Sequence, residues 1–349
     1  MLRKLMLILL ASFSVVALTA CGQSDGELGG RLVVYSPNSD GEIEGLLYYW
    51  GETRGVQIEL ISAGTGEVIS RLTAEKDNPQ ADVQFGGMNL GVYLSNPDLY
   101  QRYVAEGDDL LPAGYQNTTG FFTNYLLSGS NLLVNTDLER EIGMTITSYA
   151  DLLDPRLQGR IAMGNPAASS SALAQLTNML LVMGDGSYED DAAWNFIEEF
   201  MQNLADPGGS PKILGSSSAI FRNTAAGEYV VGVTYEDPSV QLLTDGATNV
   251  RVVYPSEGAV WLPAASAIVN GAPNLENAQA FLDFLISDEG QNIVASLTNR
   301  PVNINIPNTN PFMTPFSQIN LAFDNIQYTA ENRGRLQQRW LDLAAKYGA

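Results

Sequence analysis

The chain has 349 residues, 39 of them acidic against 18 basic, for a formal charge of −21. That balance, with no cluster of Lys or Arg to offset it, argues against a nucleic-acid-binding surface and fits a protein that is soluble outside the cell. There is no His and a single Cys, which excludes an internal disulfide, zinc sites of the Cys or His type and His-dependent nucleophilic catalysis.

At the N-terminus, Arg3 and Lys4 precede an apolar run from Leu5 to Leu18, broken only by Ser12 and Ser14. The run is short for a transmembrane helix and the right size for a signal-peptide core. It ends in Leu18-Thr19-Ala20-Cys21, small residues before the one Cys, which looks like a bacterial lipobox. The resemblance implies cleavage before Cys21 and a lipid on its sulfur. The alternative is a buried Cys after a short anchor helix. Residues 1–20 are thus expected to be a lipoprotein signal peptide, and residues 21–30 a polar, Gly-rich tether.

Strand and helix patterns then alternate, as in α/β folds. Arg31 to Tyr35 (RLVVY) reads as a buried strand. Ile43, Leu46, Leu47 and Trp50 recur at helical spacing. Val56 to Ile61 is a second strand, a helix opens near Glu67, and Ala81 to Phe85 is a third strand ending at Gly86-Gly87. This succession suggests βαβ units. Further strands are expected at Leu132 to Val134, Arg160 to Met163, Tyr229 to Tyr235 and Arg251 to Tyr254. A short helix is expected at Ser148 to Leu153. The apolar Val260 to Val269 is expected to run between lobes. Trp194, Ile197, Met201 and Leu204 form a helical stripe assigned to the core, and Leu336, Trp340 and Leu343 mark the last helix.

In open α/β sheets, ligands gather at the carboxyl ends of strands beside helix N-termini. Four loops have that position: Ser36 to Asp40, Ser62 to Gly66, Asn165 to Ser171, and Glu236-Asp237. The second and third are rich in Gly, Ser and Thr. Such loops offer free N–H groups and hydroxyls, and a helix start adds about half a positive charge, which suits a phosphate, phosphonate or carboxylate. The same residue types are also ordinary helix caps. Gly64-Thr65-Gly66 lacks the Lys of a phosphate-binding loop and the third Gly of a dinucleotide fingerprint. Glu236 and Asp237 stand at a strand end, where alternation would point them to opposite faces. They are candidates for a sugar hydroxyl, an amine or a metal, with an Asp-Pro turn as the plain reading. Tyr254 and Trp261 are candidates for stacking on a ligand or for core packing. Gly215-Ser216-Ser217-Ser218 does not make a serine hydrolase without an imidazole base.

The succession of lipobox, VVYSPNSDGEIE, SAGTGEVISRLTAEKDNPQADVQFGG, LLVNTDLEREIGMTITSYADLLDPRLQGRIAMGNPAASSS, GEYVVGVTYEDPS and NLENAQAFLDFLISDEGQ resembles the extracellular solute-binding proteins of the ferric-iron, thiamine, phosphonate and hexose-phosphate ABC importers. The resemblance runs from about Arg31 to Leu343. It implies a type II periplasmic-binding-protein fold: two α/β lobes, a hinge of crossing strands, and ligand in the cleft. The expected lobes are 31–125 with 262–310, and 126–261 with 311–349. The expected ligand residues are Ser36, Asn38, Ser39, Thr65, Gly66, Gly87, Ser169, Ser170, Glu236 and Asp237. Ferric-binding members place paired tyrosines just after the strand that here ends at Tyr235, where this chain has Glu236-Asp237. The resemblance therefore implies a monomeric transport protein without cofactor or catalysis. It would capture a small anionic solute, such as a phosphorylated sugar or phosphonate, and deliver it to a membrane permease. Its place would be the bacterial cell envelope, lipid-anchored and facing the periplasm or the exterior. The alternatives are capture of ferric iron by Tyr235, Glu236 and Asp237 with a bound anion, and hydrolysis of a phosphorylated sugar with Glu236 or Asp237 as base.

Overall fold

The computed structural model describes residues 28–112 and 114–349; the lipobox, Cys21 and most of the tether lie outside them. The apolar runs read near the N-terminus form three parallel strands, β1 (Arg31–Ser36), β2 (Gln57–Ser62) and β3 (Val83–Met88), in the order β2-β1-β3. The central strand β1 is buried after its first residue, while the edge strand β2 is partly exposed, as their positions require. Ile43, Leu46, Leu47 and Trp50 are all buried. Their helix passes through a π-helical stretch at Ile43–Tyr48 before returning to α-helix.

The largest departure from the sequence reading is β4 (Thr123–Asn135), a single strand of 13 residues where only Leu132 to Val134 is expected. Ser128-Gly129-Ser130 at its centre has a composition common in turns, but the chain runs straight through. After it come β5 (Ile161–Gly164), β6 (Ile213–Leu214), β7 (Val231–Tyr235), β8 (Val250–Val253) and β9 (Ala259–Ile268). The first half of β4 pairs antiparallel with β9, and its second half pairs antiparallel with β7 and β8. β9 also pairs with β3, so β4 and β9 carry the sheet from one lobe to the other in the order β2-β1-β3-β9-β4-β7-β5-β6. The short β10 (Arg300–Pro301) lies antiparallel to β4, and β11 (Leu321–Ala322) parallel to β9. The expected Ser148 to Leu153 helix is only a tight 3₁₀ turn at Ala150–Leu153.

The apolar core is divided in the same way. One cluster gathers Leu132, Trp194, Ile197, Met201 and Leu204 with Leu336 and Trp340 of the last helix. Two others draw on residues between 32 and 127 and between 259 and 302. Each fully buried large side chain contributes roughly 1.5–3 kcal/mol by area, so each lobe has its own source of stability. The space between the lobes is lined by polar and apolar residues together.

Candidate functional site

A cavity of about 730 Å³ opens between the lobes. Its walls are the carboxyl ends of parallel strands and the helix starts that follow them, which is where the general rule for open α/β sheets puts a ligand. β2 leads to the helix Thr65–Glu75, β5 to Ser170–Val182, β6 to Ser217–Ala225 and β7 to Glu236–Thr244. Thr65, Ser170, Ser217 and Asp237 all line the cavity. Ser169 and Ser216 cap their helices, each accepting a backbone N–H, and Ser169 Oγ lies 2.9 Å from Ser171 Oγ. Four helix starts thus aim partial positive charge at one space.

Two glycines allow the first-lobe loops to meet. Gly86 (φ +80°) and Gly87 (φ +63°) hold left-handed conformations. A Cβ on Gly86 would lie 1.8 Å from Asn38 Oδ1, and one on Gly87 would lie 2.6 Å from Thr65 Oγ1. Any other residue at either position would push the Asn38 and Thr65 loops apart.

One strong cation stands in this wall. Arg333, at the start of the last helix, lines the cavity and directs Nη2 toward Ser170 Oγ at 3.5 Å. It makes no ion pair among the described residues. Burial alone pushes its pKa down, and an arginine in that position stays charged at neutral pH.

Two buried carboxylates, Glu42 and Asp237, also line the cavity, together with the exposed Glu67. Glu42 is held by a capping box: the Ser39 N–H and hydroxyl donate to Oε2 at 3.2 and 3.0 Å. The Tyr125 hydroxyl donates to its Oε1 at 3.3 Å, and Asn38 Nδ2 donates to the Tyr125 hydroxyl at 2.8 Å. Asp237 accepts from the Thr298 hydroxyl. Neither has a cationic partner among the described residues. Burial, and then the charge of Asp237, push Glu42 up to about 7. Burial, and then the charge of Glu236, push Asp237 up, against the Thr298 bond. The pair therefore retains a proton near neutral pH, or holds a positively charged or hydroxyl-bearing group of a ligand in its place. Tyr235 also lines the cavity; burial and both carboxylates push its phenol up, so it stays protonated.

Of the residues anticipated from sequence, Asn38, Ser39, Thr65, Gly66, Gly87, Ser169, Ser170 and Asp237 line this one cavity. Ser36 stands behind it. Its hydroxyl donates to the Phe85 carbonyl at 2.7 Å and accepts the Asn38 N–H at 3.1 Å, which shapes the loop. Glu236 also turns away. It and Asp237 diverge because they begin a helix, not because a strand alternates. Arg300 grips Glu236 with two bonds of 2.8 and 2.6 Å, and Tyr254 and Trp261 donate to it as well. Tyr254 and Trp261 are therefore partners of a buried ion pair. The expected proximity of Tyr235, Glu236 and Asp237 does not make a common ligand set, since Glu236 is occupied by Arg300. Among the described residues no group of three His, Cys, Asp or Glu is placed to hold a metal ion.

Sequence reasoning misses Arg333, Glu42 and Tyr125. A signal for Glu42 is present: Ser39-Asp40-Gly41-Glu42 has the Ser and Glu spacing of a capping box. Arg333 carries no local signal, because it sits in a polar stretch of the C-terminal segment.

Residues 85–320 match the family of bacterial extracellular solute-binding proteins. The chain is 27% identical over 325 residues to iron uptake protein A1 of Synechocystis, with 84% of each chain covered. It is 26% identical over 259 residues to a probable ABC transporter periplasmic-binding protein of Sinorhizobium fredii, covering 74% of this chain and 70% of that one. Its fold is similar to that of the periplasmic binding protein AfuA from Actinobacillus pleuropneumoniae, solved with exogenous fructose-6-phosphate bound. The TM-score is 0.77 at 25% identity, over 90% of this chain and 99% of that one. A sequence match over most of its length, together with a shared two-lobed architecture, shows that this chain belongs to the bacterial extracellular solute-binding proteins of the ABC-importer type.

Proposed function

We propose that the protein captures a small organic anion, a phosphate ester or phosphonate, and passes it to a membrane permease without altering it. Arg333 carries this reading: it is a half-buried guanidinium that lines the cleft beside Ser170 and has no carboxylate partner among the described residues. An unpaired cation withdrawn in part from water is costly, and an anion removes that cost while using the serine hydroxyls and helix starts around it. The sugar phosphate bound to AfuA supports the same class of ligand. Glu42 and Asp237 would receive hydroxyl or amine hydrogens at the acidic end of the solute's site. Lobe closure about β4 and β9 would exclude water and be stabilised by contacts made only in the closed form. Cys21 would carry the lipid that keeps the protein at the cell envelope, as a monomer facing the periplasm or exterior; Cys21→Ser should release it from the membrane fraction.

Ferric iron is the second reading, favoured by the presence of Tyr235, Asp237 and Glu42 on one cavity and by the iron uptake protein of Synechocystis. Mass spectrometry of whatever is released from protein purified under mild conditions separates the two. An organic phosphate or phosphonate is the expected result, and iron with no organic anion would overturn it. Return of the solute with its phosphate hydrolysed would instead point to the hydrolase alternative.

A further inference from the structure

Beside the cleft lies a second cavity of about 300 Å³. The two spaces share a wall that includes Ser170, Ala174, Leu262, Pro263 and Arg333, so they meet where the guanidinium stands. The lining of the second is of another kind. Leu90, Phe122, Leu173 and Ile326 supply apolar surface, and Thr118, Thr177 and Gln327 supply neutral polar groups. Its carboxylate, Asp324, is already engaged, accepting from the Tyr188 hydroxyl at 2.6 Å and the Thr329 hydroxyl at 3.0 Å. Leu90 and Phe122 come from the first lobe and Leu173 from the second, so this chamber, like the cleft, is made by the two lobes together.

We propose that the side chamber takes the uncharged, partly apolar organic body of the solute while the anionic group stays at Arg333. The proposal rests on the anion reading above and narrows it to esters or phosphonates with a ring-sized organic group. A small, fully hydrated anion would leave water against Leu90, Phe122 and Leu173. An apolar group releases that water with a gain proportional to the area covered. Size permits it, since an engineered apolar cavity of about 150 Å³ holds benzene. The few neutral donors and acceptors on the wall would fix the orientation of such a group, which is the usual division of labour in a small-molecule site.

The test is calorimetry of the full chain with inorganic phosphate, phenyl phosphate and benzyl alcohol. Phenyl phosphate should bind about tenfold or more tighter than inorganic phosphate, as burial of a ring implies. Leu173→Trp, which fills the chamber without touching the cleft, should reduce that ratio to about one and leave phosphate binding in place. A milder variant, Ile326→Phe, should move the ratio the same way if the tryptophan impairs folding. Equal binding of both anions by the native protein, or a ratio unaffected by a folded filling variant, overturns the proposal. If neither anion binds, the anion reading fails on its own. Chemical shifts of the Leu173 and Thr177 amides on adding benzyl alcohol then decide the chamber: a saturable shift upholds it as a site, and no shift overturns it.

Discussion

Glu236 and Asp237 are neighbours in sequence and open the same helix, yet they belong to different regions of the molecule. Glu236 points behind the cleft wall into a closed set of donors: Arg300, Tyr254 and Trp261. Arg300 in turn lies over the Phe316 ring at 4.2 Å. Asp237 points the other way, into the cavity shared with Glu42, where it accepts from the Thr298 hydroxyl and has no cationic partner among the described residues. Both carboxylates are buried. What separates them is pairing. A buried charge with a complete set of partners fixes structure, because removing any partner strands the others. A buried charge facing a cavity with no cation bonded to it is held at a cost that a ligand can relieve.

The largest expected effect comes from breaking the closed set. Arg300→Met should destabilise the protein by about 3–5 kcal/mol in urea denaturation, the usual cost of leaving a buried charge unpaired. Asp237→Asn removes a charge from the open set and should leave stability unchanged or raised. Equal losses from the two variants would erase the distinction between the regions.

A second effect separates the regions by pH. Glu42 is raised from its ordinary 4.5 to about 7 in the fold, so the folded state holds a proton that the unfolded state releases. Its contribution to stability is complete below about pH 4.5 and is lost as pH rises through about 7. The melting temperature of ligand-free protein should fall over that interval, and Glu42→Gln should flatten the fall. The groups that face Glu42 are Asp237, Ser39 and Tyr125, so Asp237→Asn should flatten it partly. An unchanged slope in Glu42→Gln would place the titration elsewhere. The smallest effect is on the Ser-, Thr- and Gly-rich loops of the cavity: Thr65→Ala should weaken binding of a phosphate ester by about 0.5–1.5 kcal/mol, measured by calorimetry, as for one hydrogen bond.

The strands of the first lobe are legible because RLVVY and ADVQF are apolar runs bounded by turn residues, and the loops after them bear Ser, Thr and Gly where helices start. The sequence alone therefore groups Thr65, Ser169, Ser170 and Asp237 at strand ends and helix starts. β4 was not legible over its full length, because Ser128-Gly129-Ser130 has the composition of a turn, while its straight course is imposed by pairing with β9 on one side and β7 on the other. Arg333 was not legible either. Its importance comes from lying against Ser170, which only tertiary packing brings about. Likewise, nothing local tells that Glu236 will find Arg300, since that partner comes from β10, a two-residue strand.

The most direct test of the account is titration of a phosphate ester into native protein and into Arg333→Gln, each stripped of metal, by isothermal calorimetry. Native protein should bind the ester saturably, and the variant should lose about 1.5–3 kcal/mol of binding free energy, the range for a hydrogen bond to a charged group, while melting at nearly the native temperature. Undiminished ester binding in Arg333→Gln would contradict the account. So would a native protein that binds only ferric iron, with a tyrosinate charge-transfer band lost in Tyr235→Phe.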